Sequence, residues 1–266
     1  DGTLLNEEKH ITPRTLAALE RAREQGVLLV PVTGRPAQGL PQAVLDLPGL
    51  RYAVTSNGAT IRDLQEDRFL LEKHLTPAAC LAVLARCADF DMIRQVFREG
   101  VGYLSQTDYD TLKARYAGTA MLAYHLSTRK ILPGTVEEFL TQDARPVEEL
   151  FFLTDSTDTK ARLRAVLSDL PDIGFADPFP NDLEVIAGGI DKGIGLRFLL
   201  DHLGIDAGEV LAMGDGGSDL PLLQAAGIGV AMANATAEVK AAADYITTSC
   251  DEDGVAVALE KFVLHP

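Results

Sequence analysis

One stretch constrains this chain more than any other, Leu211-Ala-Met-Gly-Asp-Gly-Gly-Ser-Asp219. The apolar run Val210 to Met213 reads as a buried strand that stops at Gly214, with Asp215 directly behind it. Two more glycines, Ser218 and Asp219 follow, and then a helix with Leu220, Leu222, Leu223 and Ala226. A strand, a tight loop and a helix start in that order belong to parallel α/β sheets, whose ligands bind at the carboxyl ends of the strands. Glycines let such a loop turn sharply and approach a ligand closely. A carboxylate at position 215 suits a hard cation such as Mg²⁺. The same residues fit an ordinary strand-to-helix turn capped by Ser218 or Asp219. The rest of the chain separates the two readings.

That rest alternates in the same way around a different middle. Asp1-Gly2-Thr3 has no strand before it and reads as the loop ending a strand that precedes the sequence. A helix starts at Thr12-Pro13 and ends at Gly26. Val27 to Val32 is a continuous apolar run, expected to be a buried parallel strand, and it ends at Thr33-Gly34-Arg35. The strand Tyr52 to Thr55 ends at Ser56-Asn57-Gly58-Ala59. From about Thr76 to Asp182 strands and helices continue, but none of the strands ends in a glycine-rich polar loop. Ile173 to Pro178 and Leu183 to Ile186 are strand candidates there. After Gly188-Gly189-Ile190-Asp191-Lys192-Gly193 the first pattern resumes. The expected fold is therefore α/β, a doubly wound, mostly parallel sheet core of residues 1–75 and 184–266, with an inserted α+β domain at 76–183.

Composition narrows the partners. Of 266 residues, 47% are hydrophobic and 24% charged, as in a globular protein with a full core. No apolar run is long enough to span a bilayer, and no signal-peptide pattern precedes the fold. A net charge of -15 argues against nucleic acid and anionic membranes. It leaves room for a small anionic substrate, because salt screens surface charge over roughly 8 Å. Cys80, Cys87 and Cys250 lack metal-ligand spacing and fit reduced thiols in a cytoplasmic protein. The five histidines, His10, His74, His125, His202 and His265, are scattered. Nothing in the sequence speaks to oligomeric state.

The four loops together are more specific than any one of them. Asp1-Gly2-Thr3, Thr33-Gly34-Arg35, Lys192 opening a helix, and Gly214-Asp215-Gly216-Gly217-Ser218-Asp219 occur in an order and spacing that resemble the haloacid dehalogenase superfamily of phosphohydrolases. The insert and the Ser56-Asn57-Gly58-Ala59 loop are similar to the Cof-type branch, which carries a large α/β cap. The resemblance covers the whole chain. It implies a Mg²⁺-dependent phosphatase of small phosphorylated metabolites such as sugar phosphates, with the inserted domain as a cap that sets substrate specificity.

It also implies roles residue by residue. The nucleophilic Asp, which forms an aspartyl-phosphate, lies two positions before Asp1, so residues upstream of Asp1 are expected. Asp1 itself matches the second Asp, which protonates the leaving oxygen and later activates water. Thr33, with the Gly34 N–H, matches the group that holds the phosphoryl oxygens, and Lys192 the cation that pairs with phosphate and nucleophile. Asp215 matches the Mg²⁺ carboxylate, the Asp1 carbonyl a second metal contact, and Asp219 a brace for the loop or for a metal-bound water. Position 218 usually carries Asn in the family and carries Ser here, with one fewer donor near the metal. Arg35 and Asn57 either reach the substrate or brace the loops. Arg94, Arg98, Tyr103, Tyr109, Tyr116, His125 and Arg129 are the cap candidates for selecting the leaving group. The same scaffold also suits a phosphotransferase or mutase, or a non-catalytic phosphometabolite-binding protein if the nucleophile is absent.

Overall fold

Helix starts fall where the sequence places capping side chains. Thr12 accepts the Thr15 N–H at 3.2 Å, Thr76 the Ala79 N–H at 3.1 Å and Asp191 the Ile194 N–H at 2.7 Å, each supplying a first-turn amide with an acceptor. The computed structural model describes residues 1–119, 122, 125, 126, 128–177 and 180–264. They form two compact units, Asp1–Glu72 with Asp191–Pro266, and Lys73–Ile190.

The first unit holds a parallel sheet of Leu211–Gly214, Ile228–Ala231 and Tyr245–Ile246, in that order. Tyr52–Thr55, Thr60–Asp63 and Arg68–Glu72 form a separate antiparallel sheet. Ala18, Leu19 and Ala22 of the helix Pro13–Glu24 share one apolar cluster with Val255, Ala256 and Leu259 of the helix Gly254–Phe262. The run Val27 to Val32 departs from its expected buried strand. Only Val32 bridges a partner, Val54, and Leu28 is 39% exposed. Pro31 has no N–H to give a ladder, and among the described residues no second strand pairs with the run's other edge.

The second unit is built on a six-stranded sheet ordered Arg129–Ile131, Val101–Leu104, Ile93–Arg98, Glu149–Leu153, Asp182–Ala187, Ile173–Ala176. Its pairs are antiparallel except Val101–Leu104 with Arg129–Ile131. One face (Val96, Leu150, Phe152, Leu183, Val185) packs on the helices Pro77–Arg86, Val136–Gln142 and Thr157–Leu167. The other places Ile93, Phe97, Phe151 and Leu153 against Leu112. The strand Asp182–Ala187 pairs on both edges inside this sheet, with Leu150 and Phe175 both opposite Val185. Leu75 bridges Val147 there as well. The junctions therefore fall after residues 72 and 190, not after 75 and 183, because a strand belongs with its ladder partners. Pro178, the expected end of one strand, and His265 lie outside the described residues. No helix among the described residues is long and apolar enough to cross a membrane.

Two buried groups of the second unit give it opposing responses to pH. Burial pushes the Asp182 carboxyl up to about 6 against an opposing Lys160 charge, and burial with the nearby Arg129 charge pushes His125 down to about 4. Folded Asp182 thus keeps a proton that the unfolded chain has lost, so stability falls as pH rises from the usual carboxylate range to about 6. Folded His125 refuses a proton that the unfolded chain takes, so its contribution falls as pH drops from 6.5 to about 4. Asp182→Asn removes the first effect. In urea unfolding it should gain on the unsubstituted protein by about 1–3 kcal/mol between pH 4 and pH 7, at about 1.4 kcal/mol per pKa unit. Parallel stability curves for the two proteins would rule this out.

Candidate active site

A buried ion pair organises the loop behind Gly214. Asp219 is 7% exposed and Lys192, the first residue of the helix Lys192–Leu203, is 6% exposed. The Lys192 Nζ donates to Asp219 Oδ1 at 2.6 Å and to Ser218 Oγ at 3.0 Å. Asp219 Oδ2 accepts the N–H groups of Asp215 and Gly216, each at 3.0 Å. Both oxygens of Asp219 are thus committed to protein donors. Of the roles expected for it, these bonds are those of a brace for the loop. The Ser218 hydroxyl is likewise held by the lysine.

Asp215 stands at the carboxyl end of Leu211–Gly214, and its Oδ1 accepts the Thr3 hydroxyl at 2.6 Å. Burial pushes its carboxyl above the usual range; the Thr3 hydrogen bond opposes this, and the Asp219 charge adds to it. Gly2 sits between Asp1 and Thr3 at φ +71, and a Cβ there would lie 2.3 Å from Asp215 Oδ2. Only glycine fits both the left-handed backbone and that approach. Asp1 points elsewhere. Its Oδ2 accepts from Arg35 Nε at 2.8 Å and lies 2.6 Å from Arg35 Nη2, while its Oδ1 lies 3.2 Å from Lys9 Nζ.

The Thr33-Gly34-Arg35 loop closes on itself. The Thr33 N–H donates to the Val54 carbonyl, and the Thr33 hydroxyl accepts the Arg35 N–H at 3.1 Å. Asn57 is 2% exposed, with a left-handed φ of 54°, and its N–H donates to the Thr33 carbonyl. A Cβ on Gly34 would lie 3.0 Å from Asn57 Oδ1, and one on Gly58 would lie 2.2 Å from the Asp191 carbonyl oxygen. The 33–35 loop, the 56–58 turn and the start of the lysine helix are therefore packed together. Every expected site residue of the first unit lies in these interlocked loops.

Among the described residues no three His, Cys, Asp or Glu side chains gather so as to hold a metal ion. The donor set beside Asp215 nevertheless fits one. It offers a partly buried carboxylate, a hard oxygen donor, with the 1–3 loop against it at Gly2 and Thr3. One participant escaped sequence reasoning. Asn234 donates from Nδ2 to the Gly2 carbonyl at 2.8 Å and accepts the Cys250 N–H at Oδ1 at 3.0 Å. The available signal was its place, just beyond the carboxyl end of Ile228–Ala231.

The cap candidates Arg94 and Arg98 are spent on structure. Arg94 donates to the carbonyls of Cys87, Ala88, Phe90 and Met92. Arg98, 2% exposed, donates to those of Asp143, Arg145 and Pro146 and pairs with Asp143. Tyr103 stacks on Phe139. Arg129 Nε donates to Gln95 Oε1 at 2.6 Å.

A family model described as haloacid dehalogenase-like hydrolase matches residues 1–259. Among curated proteins, the HMP-PP phosphatase of Klebsiella pneumoniae is 32% identical over 91% of this chain and 84% of its own. The 5-amino-6-(5-phospho-D-ribitylamino)uracil phosphatase YcsE of Bacillus subtilis is 30% identical over 99% of this chain and 93% of its own. Among solved structures, a haloacid dehalogenase-like hydrolase from Bacteroides thetaiotaomicron superposes with a TM-score of 0.80 at 29% identity, covering 98% of this chain and 96% of that one. With a family model running along almost its whole length and phosphatases among its relatives, the chain belongs to the haloacid dehalogenase-like hydrolases and is a phosphatase.

Proposed function

We propose that this phosphatase hydrolyses phosphomonoesters of small metabolites, sugar and sugar-alcohol phosphates among them, with Mg²⁺ as its cation. The observation that carries the reading is the gathering of Lys192 and Arg35 with Asp1 and Asp215 in interlocked loops at the carboxyl ends of strands. Cations there meet the phosphoryl oxygens, and the carboxylates handle metal and protons. The relatives named as an HMP-PP phosphatase and a 5-amino-6-(5-phospho-D-ribitylamino)uracil phosphatase support small phosphorylated metabolites as the substrate class.

Each residue then has a task. Asp215 and the Asp1 carbonyl would hold the Mg²⁺, which supplies charge neutralisation at the phosphoryl group. Ser218 and Asp219 stand behind that site and fix its loop. Thr33, the Gly34 N–H and Lys192 receive the phosphoryl oxygens. Arg35 pairs with Asp1, and an entering phosphate competes for its guanidinium. Asn57 holds the 33–35 loop from below. Asp1 gives its proton to the leaving oxygen, and the nucleophilic carboxylate, two positions before Asp1, takes the phosphoryl group. The second unit selects the leaving group.

Hydrolysis of 4-nitrophenyl phosphate by the protein with its residues upstream of Asp1 tests this, with Mg²⁺ and with a chelator. Turnover should vanish with the chelator, and Asp215→Ala should lose about 10³-fold or more in kcat. Release of phosphate that ignores both would sink the metal assignment. Release that appears only with an added sugar acceptor would mark a phosphotransferase instead.

Lys192 has a second, structural task that can be separated from the first. Lys192→Met leaves a buried Asp219 without its cation, at a cost of about 3–5 kcal/mol. Adding Asp219→Asn should restore part of that stability while activity stays lost. A double variant that melts no higher than Lys192→Met would contradict the ion-pair account.

A further inference from the structure

We infer that Asn234 is a positioning residue that aims the general acid Asp1 by holding the Gly2 carbonyl. The inference rests on the reading of Asp1 as that acid. The loop after Ile228–Ala231 runs alongside both acidic loops. Its Met232 N–H donates to the Gly214 carbonyl at 3.0 Å and its Thr236 N–H to the Asp215 carbonyl at 3.3 Å. Between them the Asn234 side chain reaches the Gly2 carbonyl with one end and the Cys250 N–H with the other. Those partners fix the amide's orientation, because a main-chain carbonyl only accepts and an N–H only donates. A carboxamide is the side chain that serves both at this length.

Gly2 is where such a tether matters. Its neighbours are pulled in different directions, Asp1 to Arg35 and Lys9, and Thr3 to Asp215. Glycine has the freest backbone of any residue, and here it stands at φ +71. Its N–H is held by the Leu5 carbonyl at 3.0 Å, and Asn234 holds its carbonyl, so both faces of the turn are fixed. The tether is exposed, so its loss costs the fold little. Proton transfer is more demanding: a misplacement of about 1 Å costs about 10²-fold. As the nucleophile's bond to phosphorus forms, the P–O ester bond breaks. Its electron pair passes to the leaving oxygen, which takes the Asp1 proton. A misaimed Asp1 therefore slows esters of weakly acidic alcohols most and esters of acidic phenols least.

The test is a series of aryl phosphates from phenyl to 4-nitrophenyl phosphate, assayed with the protein carrying its upstream residues. Compared are the unsubstituted enzyme, Asp1→Asn, Asn234→Asp and Asn234→Ala. Asn234→Asp keeps the size and the acceptor for Cys250 but sets a carboxylate oxygen against the Gly2 carbonyl. It should lose about 10–100-fold in kcat/KM on phenyl phosphate and under about 5-fold on 4-nitrophenyl phosphate, with little change in Tm. Asp1→Asn should steepen the dependence on leaving-group acidity further. If Asp1→Asn steepens it and neither Asn234 variant does, the positioning role is overturned while the acid assignment stands. If Asp1→Asn leaves it flat, the acid assignment itself fails and the inference with it. A uniform loss across the series with a lowered Tm assigns Asn234 a structural role and overturns the inference.

Discussion

The site depends on the pairing of Lys192 with Asp219. Two opposite charges taken from water are costly unless each finds good partners, and here each does. Asp219 receives the ammonium on one oxygen and two main-chain amides on the other. The first bond anchors the start of the helix Lys192–Leu203, and the other two fold the 214–219 loop back on itself. A single carboxylate thereby sets the position of the cation and the direction in which Asp215 leaves its strand. The Asp215 carboxylate, among the described residues, accepts the Thr3 hydroxyl and no other hydrogen bond.

Close approach multiplies that arrangement across four loops. Gly58 rests on the Asp191 carbonyl, and Gly2 rests on the Asp215 carboxylate. Neither contact survives a Cβ. The 1–3 loop is thus packed on Asp215, and the 56–58 turn on the start of the lysine helix. Close packing of this kind suits phosphoryl transfer, in which the protein mainly positions groups and stabilises charge.

The loops were legible in the sequence because each combines a strand end with residues rare inside regular structure. Gly-Asp-Gly-Gly-Ser-Asp after Val210 to Met213 signals backbone freedom and charge at once. Other features were not legible, for separate reasons. Val27 to Val32 has the composition of a buried strand, but strand character needs ladder partners, and among the described residues Val32 alone of the run bridges one. The junction near residue 184 was misplaced because Asp182–Ala187 looks the same in either unit, and only its pairing assigns it. Arg94 and Arg98 resembled substrate contacts, yet guanidinium groups with several donors also gather carbonyls at helix and strand ends. Asn234 carried no pattern at all. A single amide becomes informative only once its two main-chain partners, remote in sequence, are known.

Charge finally explains how so acidic a chain serves an anionic substrate. A net charge of -15 repels phosphate at long range, but salt reduces that field within roughly 8 Å. What remains is local. Lys192 is buried and Arg35 is only 23% exposed, so both act through less water than surface residues do. Each already holds a carboxylate, Lys192 that of Asp219 and Arg35 that of Asp1. The two pairs differ in kind. Asp219 is buried and bound by two further amides, so Lys192 is fixed in place, whereas Asp1 is 34% exposed at its side chain and bound only by cations. On the proposed reading, an entering phosphate competes with Asp1 for Arg35, which also donates to the Gly39 carbonyl, while Lys9 stays beside Asp1 and Lys192 stays fixed on Asp219.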